Sequence, residues 1–194
     1  MKIVIIKYNA GNIQSVLYAL ERIGVGAIVT DNHEEIITAD KVIFPGVGEA
    51  NSAMNSLKEN NLDQIIKSLK QPVLGICVGM QLLCKYSEEN NTECLGIFEE
   101  PVKKFISLEY KVPQIGWNNI YDLHSPLMKS IPENSYCYFV HSYYVPMNTF
   151  AIATTDYIQP YASAIHKNNF YGVQFHAEKS AQVGEQILRN FIEL

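Results

Sequence analysis

The sequence predicts an α/β fold: a central, mostly parallel sheet flanked by helices, with an antiparallel extension. Three observations predict it. Apolar β-branched runs alternate with helical patterns through the first half, the runs are too uniformly apolar for strands with one wet face, and the second half changes to successive strands joined by short polar turns. Residues 2–7, 25–30, 41–44 and 72–76 are the parallel strands. Between the first two, Ile13, Val16, Leu17, Leu20 and Ile23 recur at helical spacing, and Gly24 is placed to end that helix. A second helix follows Cys77. Residues 102–105, 119–121, 136–140, 151–155, 162–167 and 170–175 read as antiparallel or mixed strands. The chain closes with Ser180 as a candidate N-cap before Val183, Ile187, Leu188, Phe191 and Ile192, the apolar face of a last helix.

A chain of 194 residues with 47% hydrophobic content suits one domain spanning 1–194. Its formal net charge is −5 and its basic residues are scattered, so nucleic acid is not an expected partner. The apolar start is too short for a signal peptide and no stretch is long enough to span a bilayer, so a cytoplasmic protein without membrane contact is expected. Cys77, Cys84, Cys94 and Cys137 form no CxxC pair or Cys/His cluster, which points to reduced thiols and no metal site.

The segment 72–83 runs from an apolar strand into a helical pattern, with Gly75-Ile76-Cys77-Val78-Gly79 at the junction. This is the thiol form of a nucleophile elbow: a sharp turn exposes the nucleophile, and glycines on either side let strand and helix approach closely. The helix N-terminus behind Cys77 stabilises negative charge on its sulfur. Cys84, Cys94 and Cys137 lack such a setting and read as structural.

A thiol nucleophile needs a base and a group that orients it. The run 171–175 stops at His176, and Glu178 stands two residues on, so that on an extended segment both side chains point the same way. His33 and His124 lie in turn-like sequence, and His166 reads as an ordinary strand position. After the third strand, Pro45-Gly46-Val47-Gly48-Glu49 can turn backbone N–H groups toward a ligand; with the elbow it makes Val47 and Val78 candidate donors to an oxyanion.

Pro-Gly-Val-Gly, Gly-Ile-Cys-Val-Gly-Met-Gln and Gln-Phe-His-Ala-Glu occur in the order and spacing that resembles the class I (triad) glutamine amidotransferases. The segments 8–12, 111–118 and 141–143, and Glu178-Lys179-Ser180, narrow the resemblance to glutaminase subunits of imidazole glycerol phosphate synthases, over residues 1 to 194. The resemblance implies a flavodoxin-like glutaminase that forms a heterodimer with a (β/α)-barrel cyclase and feeds it ammonia for histidine biosynthesis. It implies Cys77, His176 and Glu178 as the triad, and Val47 and Val78 as oxyanion donors. It further implies Gly48, Gln81, Glu89, His141, Ser142 and Tyr143 as the site for the amino-acid end of L-glutamine, without a cofactor. Glu89 would then supply the countercharge for the substrate ammonium. Asn12, Trp117, Tyr136, Tyr138 and Lys179 are implied at the partner interface.

Three positions depart from the family pattern. Ala177 stands where proline is usual, Gln114 where histidine is common, and residues 49–52 replace a more apolar, glycine-containing stretch. Ala177 is expected to loosen the segment holding Glu178. A paralogous glutaminase serving another synthase, such as one aminating surface sugars, shares nearly all these motifs; a free-standing thiol hydrolase would use the same elbow, and a non-catalytic regulatory domain the same fold.

Overall fold

The computed structural model describes residues 1–9 and 12–194; Ala10 and Gly11 of the 8–12 segment lie outside the described residues. The apolar runs of the first half form β1 (Ile3–Ile6), β2 (Ile28–Thr30), β3 (Lys41–Gly46) and β4 (Val73–Cys77). Every position of β1, β3 and β4 is buried, as in strands covered on both faces. Helices α1 (Ile13–Arg22), α2 (His33–Ile37), α3 (Ala50–Glu59), α4 (Leu62–Ser68) and α5 (Val78–Leu83) connect or follow them. In α1 the buried positions Val16, Ala19 and Leu20 follow the helical period, and Gly24 at φ 79° accepts the left-handed turn that stops it.

The second half supplies β5 (Tyr86–Ser87), β6 (Thr92–Glu93), β7 (Pro101–Lys104), β8 (Gln114–Ile120), β9 (Ser135–His141), β10 (Tyr143–Pro146), β11 (Ala151–Tyr157), β12 (Gln159–Lys167) and β13 (Phe170–Val173), then α6 (Ala181–Glu193). The main sheet runs β2-β1-β3-β4-β13-β12-β10-β7-β5-β6, with β11 paired to β12. The β2-β1-β3-β4-β13 half is parallel throughout, and β12 reverses direction beside β13. Because β13 returns along β4, with Gly172 opposite Gly75, the chain beyond residue 173 emerges at the same edge as Cys77. On the other side Gly46 pairs with Cys77, so the ends of β3, β4 and β13 converge at the carboxyl edge of the sheet, where α/β folds hold their ligands.

Three expectations need correction. The strand expected at 119–121 is the end of the longer β8, which pairs with β9 in a separate antiparallel ribbon over seven residues; Gly116 and the paired asparagines Asn118 and Asn119 hide it from an apolar-pattern reading. The strand expected at 170–175 ends at Val173. Ser180 stands at the start of α6 but does not cap it: its hydroxyl donates to the His176 carbonyl at 2.7 Å and accepts from the Tyr138 N–H at 3.0 Å. That serine locks the segment before the helix to β9.

Two glycines set how closely the layers approach. A Cβ on Gly79 would lie 1.9 Å from the Phe44 carbonyl oxygen, so α5 sits directly on β3. A Cβ on Gly184 would lie 1.8 Å from the Ala177 oxygen, so α6 presses on the turn that carries Glu178.

Candidate active site

Cys77 is nearly fully buried and has φ 54° and ψ −111°, a conformation rarely tolerated by a side chain with a Cβ. The strain is confined by packing, with α5 starting immediately at Val78. The first-turn N–H groups of that helix have no partners within it and face the end of β4. The sulfur lies 3.8 Å from the Val140 carbonyl, which can accept from the thiol, and 3.8 Å from the Gln174 side-chain nitrogen.

His176 follows β13 and is tied to β9 by its N–H, which donates to the Tyr138 carbonyl at 2.9 Å. Its Nδ1 lies 2.7 Å from Glu178 Oε1, both side chains being almost entirely excluded from solvent. The pairing matches expectation, but its geometric origin differs. Residues 177–179 form a 3-10 turn rather than an extended strand, and Glu178 reaches back across that turn. Asn12 donates to the same carboxylate oxygen through Nδ2. Although Ala177 lacks a proline ring, hydrogen bonds anchor the turn: the Lys179 N–H and Ser180 hydroxyl donate to the His176 carbonyl and the Ser180 N–H to that of Ala177. Burial disfavours a charged His176, but hydrogen bonding and attraction from Cys77 and Glu178 outweigh it and push the imidazole up to about 10.

A cavity of about 260 Å³ opens on this group. Val47, Gly48, Cys77, Val78, Gln81, Glu89, His141, Ser142, Tyr143 and His176 all line it, together with Pro113 and Val140. Glu89 is half-buried, and burial, reinforced by nearby Glu49, raises its carboxyl above the usual range despite the Ala50 N–H donating to Oε2 at 2.8 Å. Such a site gains by binding a cation. His141 stands inside the wall: burial lowers it to about 4, so it is neutral, with Nδ1 2.7 Å from the Tyr143 carbonyl. No group of three His, Cys, Asp or Glu among the described residues has an arrangement that would hold a metal.

The profile of the family "Glutamine amidotransferase class-I" matches residues 4–194. The chain belongs to the class-I glutamine amidotransferases. It is 57% identical, over the whole of both chains, to the imidazole glycerol phosphate synthase subunit HisH of Bacteroides fragilis, and 54% identical over the same span to that of Bacteroides thetaiotaomicron. These identities place it within the HisH subunits of this amidotransferase family. A solved glutamine amidotransferase from Thermotoga maritima shares the fold, with a TM-score of 0.67 at 16% identity, covering all of this chain and 83% of that one.

The sheet edge gathers residues from distant segments of the chain. Trp117, Tyr136, Tyr138, Lys179 and Asn12 stay outside the cavity. Trp117 and Tyr138 are register partners on the ribbon, their rings edge to face at 5.8 Å, while Trp117, Tyr136 and Lys179 are exposed. Asn12 instead touches Glu178. Sequence reasoning passed over Pro113, Val140 and Gln174. For Gln174 the signal was present: one amide in an otherwise apolar buried run, two residues before His176.

Proposed function

We propose that this chain hydrolyses L-glutamine to glutamate and ammonia through Cys77, His176 and Glu178, and passes the ammonia to a (β/α)-barrel cyclase subunit that makes imidazole glycerol phosphate in histidine biosynthesis. The supporting observation is the convergence of a strained cysteine and a buried His176–Glu178 pair on a cavity whose wall carries Glu89. The Cys77 sulfur attacks the side-chain amide carbon, and the resulting oxyanion is held by the N–H groups of Val47 and Val78. The His176 imidazolium gives its proton to the departing nitrogen, which leaves as ammonia and a glutamyl thioester. His176 then takes a proton from water as the water attacks the thioester, and Cys77 and glutamate are released. Glu178 keeps the imidazole oriented and stabilises its charge without receiving the proton. Glu89 pairs with the substrate ammonium, and Gly48, Gln81, His141, Ser142 and Tyr143 enclose its amino-acid end.

The chain would act in the cytoplasm; no described helix is long and apolar enough to cross a membrane. The test is Cys77→Ala in the assembled synthase. Glutamine-dependent turnover should vanish while turnover with added ammonium salt survives, because only the ammonia source is lost. Retained glutamine hydrolysis would refute the assignment.

A further inference from the structure

We propose that Gln174 is a dedicated hydrogen-bond donor to the Cys77 sulfur, its amide locked in the donating orientation by the Tyr143 carbonyl acting through Gln81. The inference rests on Cys77 being the nucleophile and adds a residue outside the Cys-His-Glu set.

The Tyr143 backbone carbonyl can only accept. Gln81 Nε2 lies 3.0 Å from it, so the end of Gln81 facing Tyr143 is its amino group. The same Nε2 is 2.9 Å from Gln174 Oε1, which takes the second hydrogen. Turning Gln174 over would set two amino groups against each other in a region without solvent, since Gln81 is 2% and Gln174 0% exposed. The oxygen of Gln174 therefore faces Gln81, and its nitrogen faces Cys77 Sγ at 3.8 Å.

An amide N–H aimed at sulfur favours thiolate over thiol, because a hydrogen bond to a charged acceptor is stronger than one to a neutral acceptor. The Val140 carbonyl has the opposite preference, since only the thiol can donate to it. Gln174 thus supplies, beside the His176 imidazolium, a partner that survives ionisation. The relay also begins at the cavity wall, where the Tyr143 carbonyl receives both Gln81 and His141 Nδ1, so both of its lone pairs are engaged. With both hydrogens of Gln81 used inside the protein, that residue can offer the cavity only its oxygen, an acceptor suited to an ammonium.

Gln174→Met keeps length and volume and removes the donor. The measurement is the rate of iodoacetamide labelling at Cys77 in the full chain across pH, read by mass spectrometry of the peptide. The labelling profile of Gln174→Met should move toward higher pH, so that labelling is roughly tenfold slower than wild type on the acid limb, the size of one hydrogen bond to a charged group, and should reach the wild-type rate at the alkaline plateau. Superimposable profiles would overturn the proposal, and so would a uniform drop that includes the plateau, which would mean lost access. Should the variant fail to fold, the Gln174 side-chain amide proton signals of the wild-type chain decide: they must move with the pH profile of Cys77 labelling, and unresponsive signals refute the donor role. Glutamine hydrolysis retained in Cys77→Ala would sink the underlying reading, whereas an unchanged Gln174→Met profile sinks only this inference.

Discussion

Tyr138 and His176 are joined back to front: the His176 N–H donates to the Tyr138 carbonyl at 2.9 Å, while the Tyr138 ring packs edge to face on the exposed Trp117. The β8–β9 ribbon is therefore both an outward aromatic surface and part of the frame that positions the proposed base. Val140, two residues further along β9, has its carbonyl at the Cys77 sulfur and lines the cavity. A displacement of this ribbon would reach both side chains proposed to react, His176 through the Tyr138 carbonyl and Cys77 through that of Val140.

Glu178→Gln separates charge from shape. The substituted amide is isosteric with the carboxylate and can keep its oxygen toward His176 and Asn12, its nitrogen taking the place of Glu178 Oε2, which has no hydrogen-bond partner among the described residues; shape is kept, so the chain should still fold. Glutamine turnover should fall by roughly ten-thousandfold, as when a triad orienter loses its charge. Stability should report the same loss. Because the folded His176 is raised from 6.5 to about 10, its pairing stabilises the protein fully below pH 6.5, and that contribution is lost as pH rises through about 10. Thermal melts across that window should show a smaller alkaline decline in Glu178→Gln than in wild type. An equal decline, or near-normal turnover, would show that another group holds the imidazole.

His141 has the opposite linkage. Burial lowers it from 6.5 to about 4, so unfolding takes up a proton between those values. The stability tied to its neutral form is present above pH 6.5 and lost as pH falls through about 4, on the order of 3 kcal/mol for a shift of this size. His141→Asn retains a short amide donor for the Tyr143 carbonyl and cannot titrate. Its denaturant midpoint should decline less between pH 6.5 and 4 than that of wild type, and identical slopes would exclude His141 as the linked group.

The parallel half of the fold and the nucleophile elbow were legible because local sequence determines them: apolar runs at β1, β3 and β4, and Gly75 and Gly79 around Cys77. The pairing of His176 with Glu178 was legible too, although through a turn rather than a strand. Other features depend on long-range neighbours. Ser180 looks like a cap, but the approach of β9 gives its hydroxyl other partners. Asn12 meets Glu178 across 166 positions, and Gln174 meets Gln81 across 93, separations at which no periodicity carries information. β8 was obscured because a ribbon with an exposed aromatic face need not alternate cleanly.

Gly79→Ala should be far more damaging than Gly24→Ala. The added methyl would collide with the Phe44 carbonyl at 1.9 Å, backbone against backbone, whereas at Gly24 nothing lies within 4 Å and only the φ of 79° opposes it. The expected losses are about 3 kcal/mol or more at Gly79 and about 1 kcal/mol at Gly24, measured by equilibrium unfolding in denaturant. Comparable losses would mean that α5 can lift from β3 without cost.

The proposed partner should be engaged through the ribbon and Lys179. Register places Ile115, Trp117 and Asn119 on one face with Val140, Tyr138 and Tyr136 opposite them, and that face runs from exposed aromatic and aliphatic surface to the cavity rim at Val140. Aromatic groups in such a position are the usual anchors of an interface, and exposed Lys179 beside Glu178 offers a charge to a carboxylate of the barrel. Because ammonia released into water at neutral pH is protonated and inert as a nucleophile, hydrolysis is useful only when coupled to the cyclase. Trp117→Ala and Lys179→Ala should each leave Cys77 labelling by iodoacetamide unchanged in the isolated chain. In the assembled synthase each should weaken the complex or raise glutamate formed per product by several-fold. Titration with a cyclase subunit, together with the ratio of glutamate to nucleotide product, measures both. If the isolated chain already hydrolyses glutamine at full rate, and adding the cyclase with its nucleotide substrate changes nothing, this surface does not gate the site.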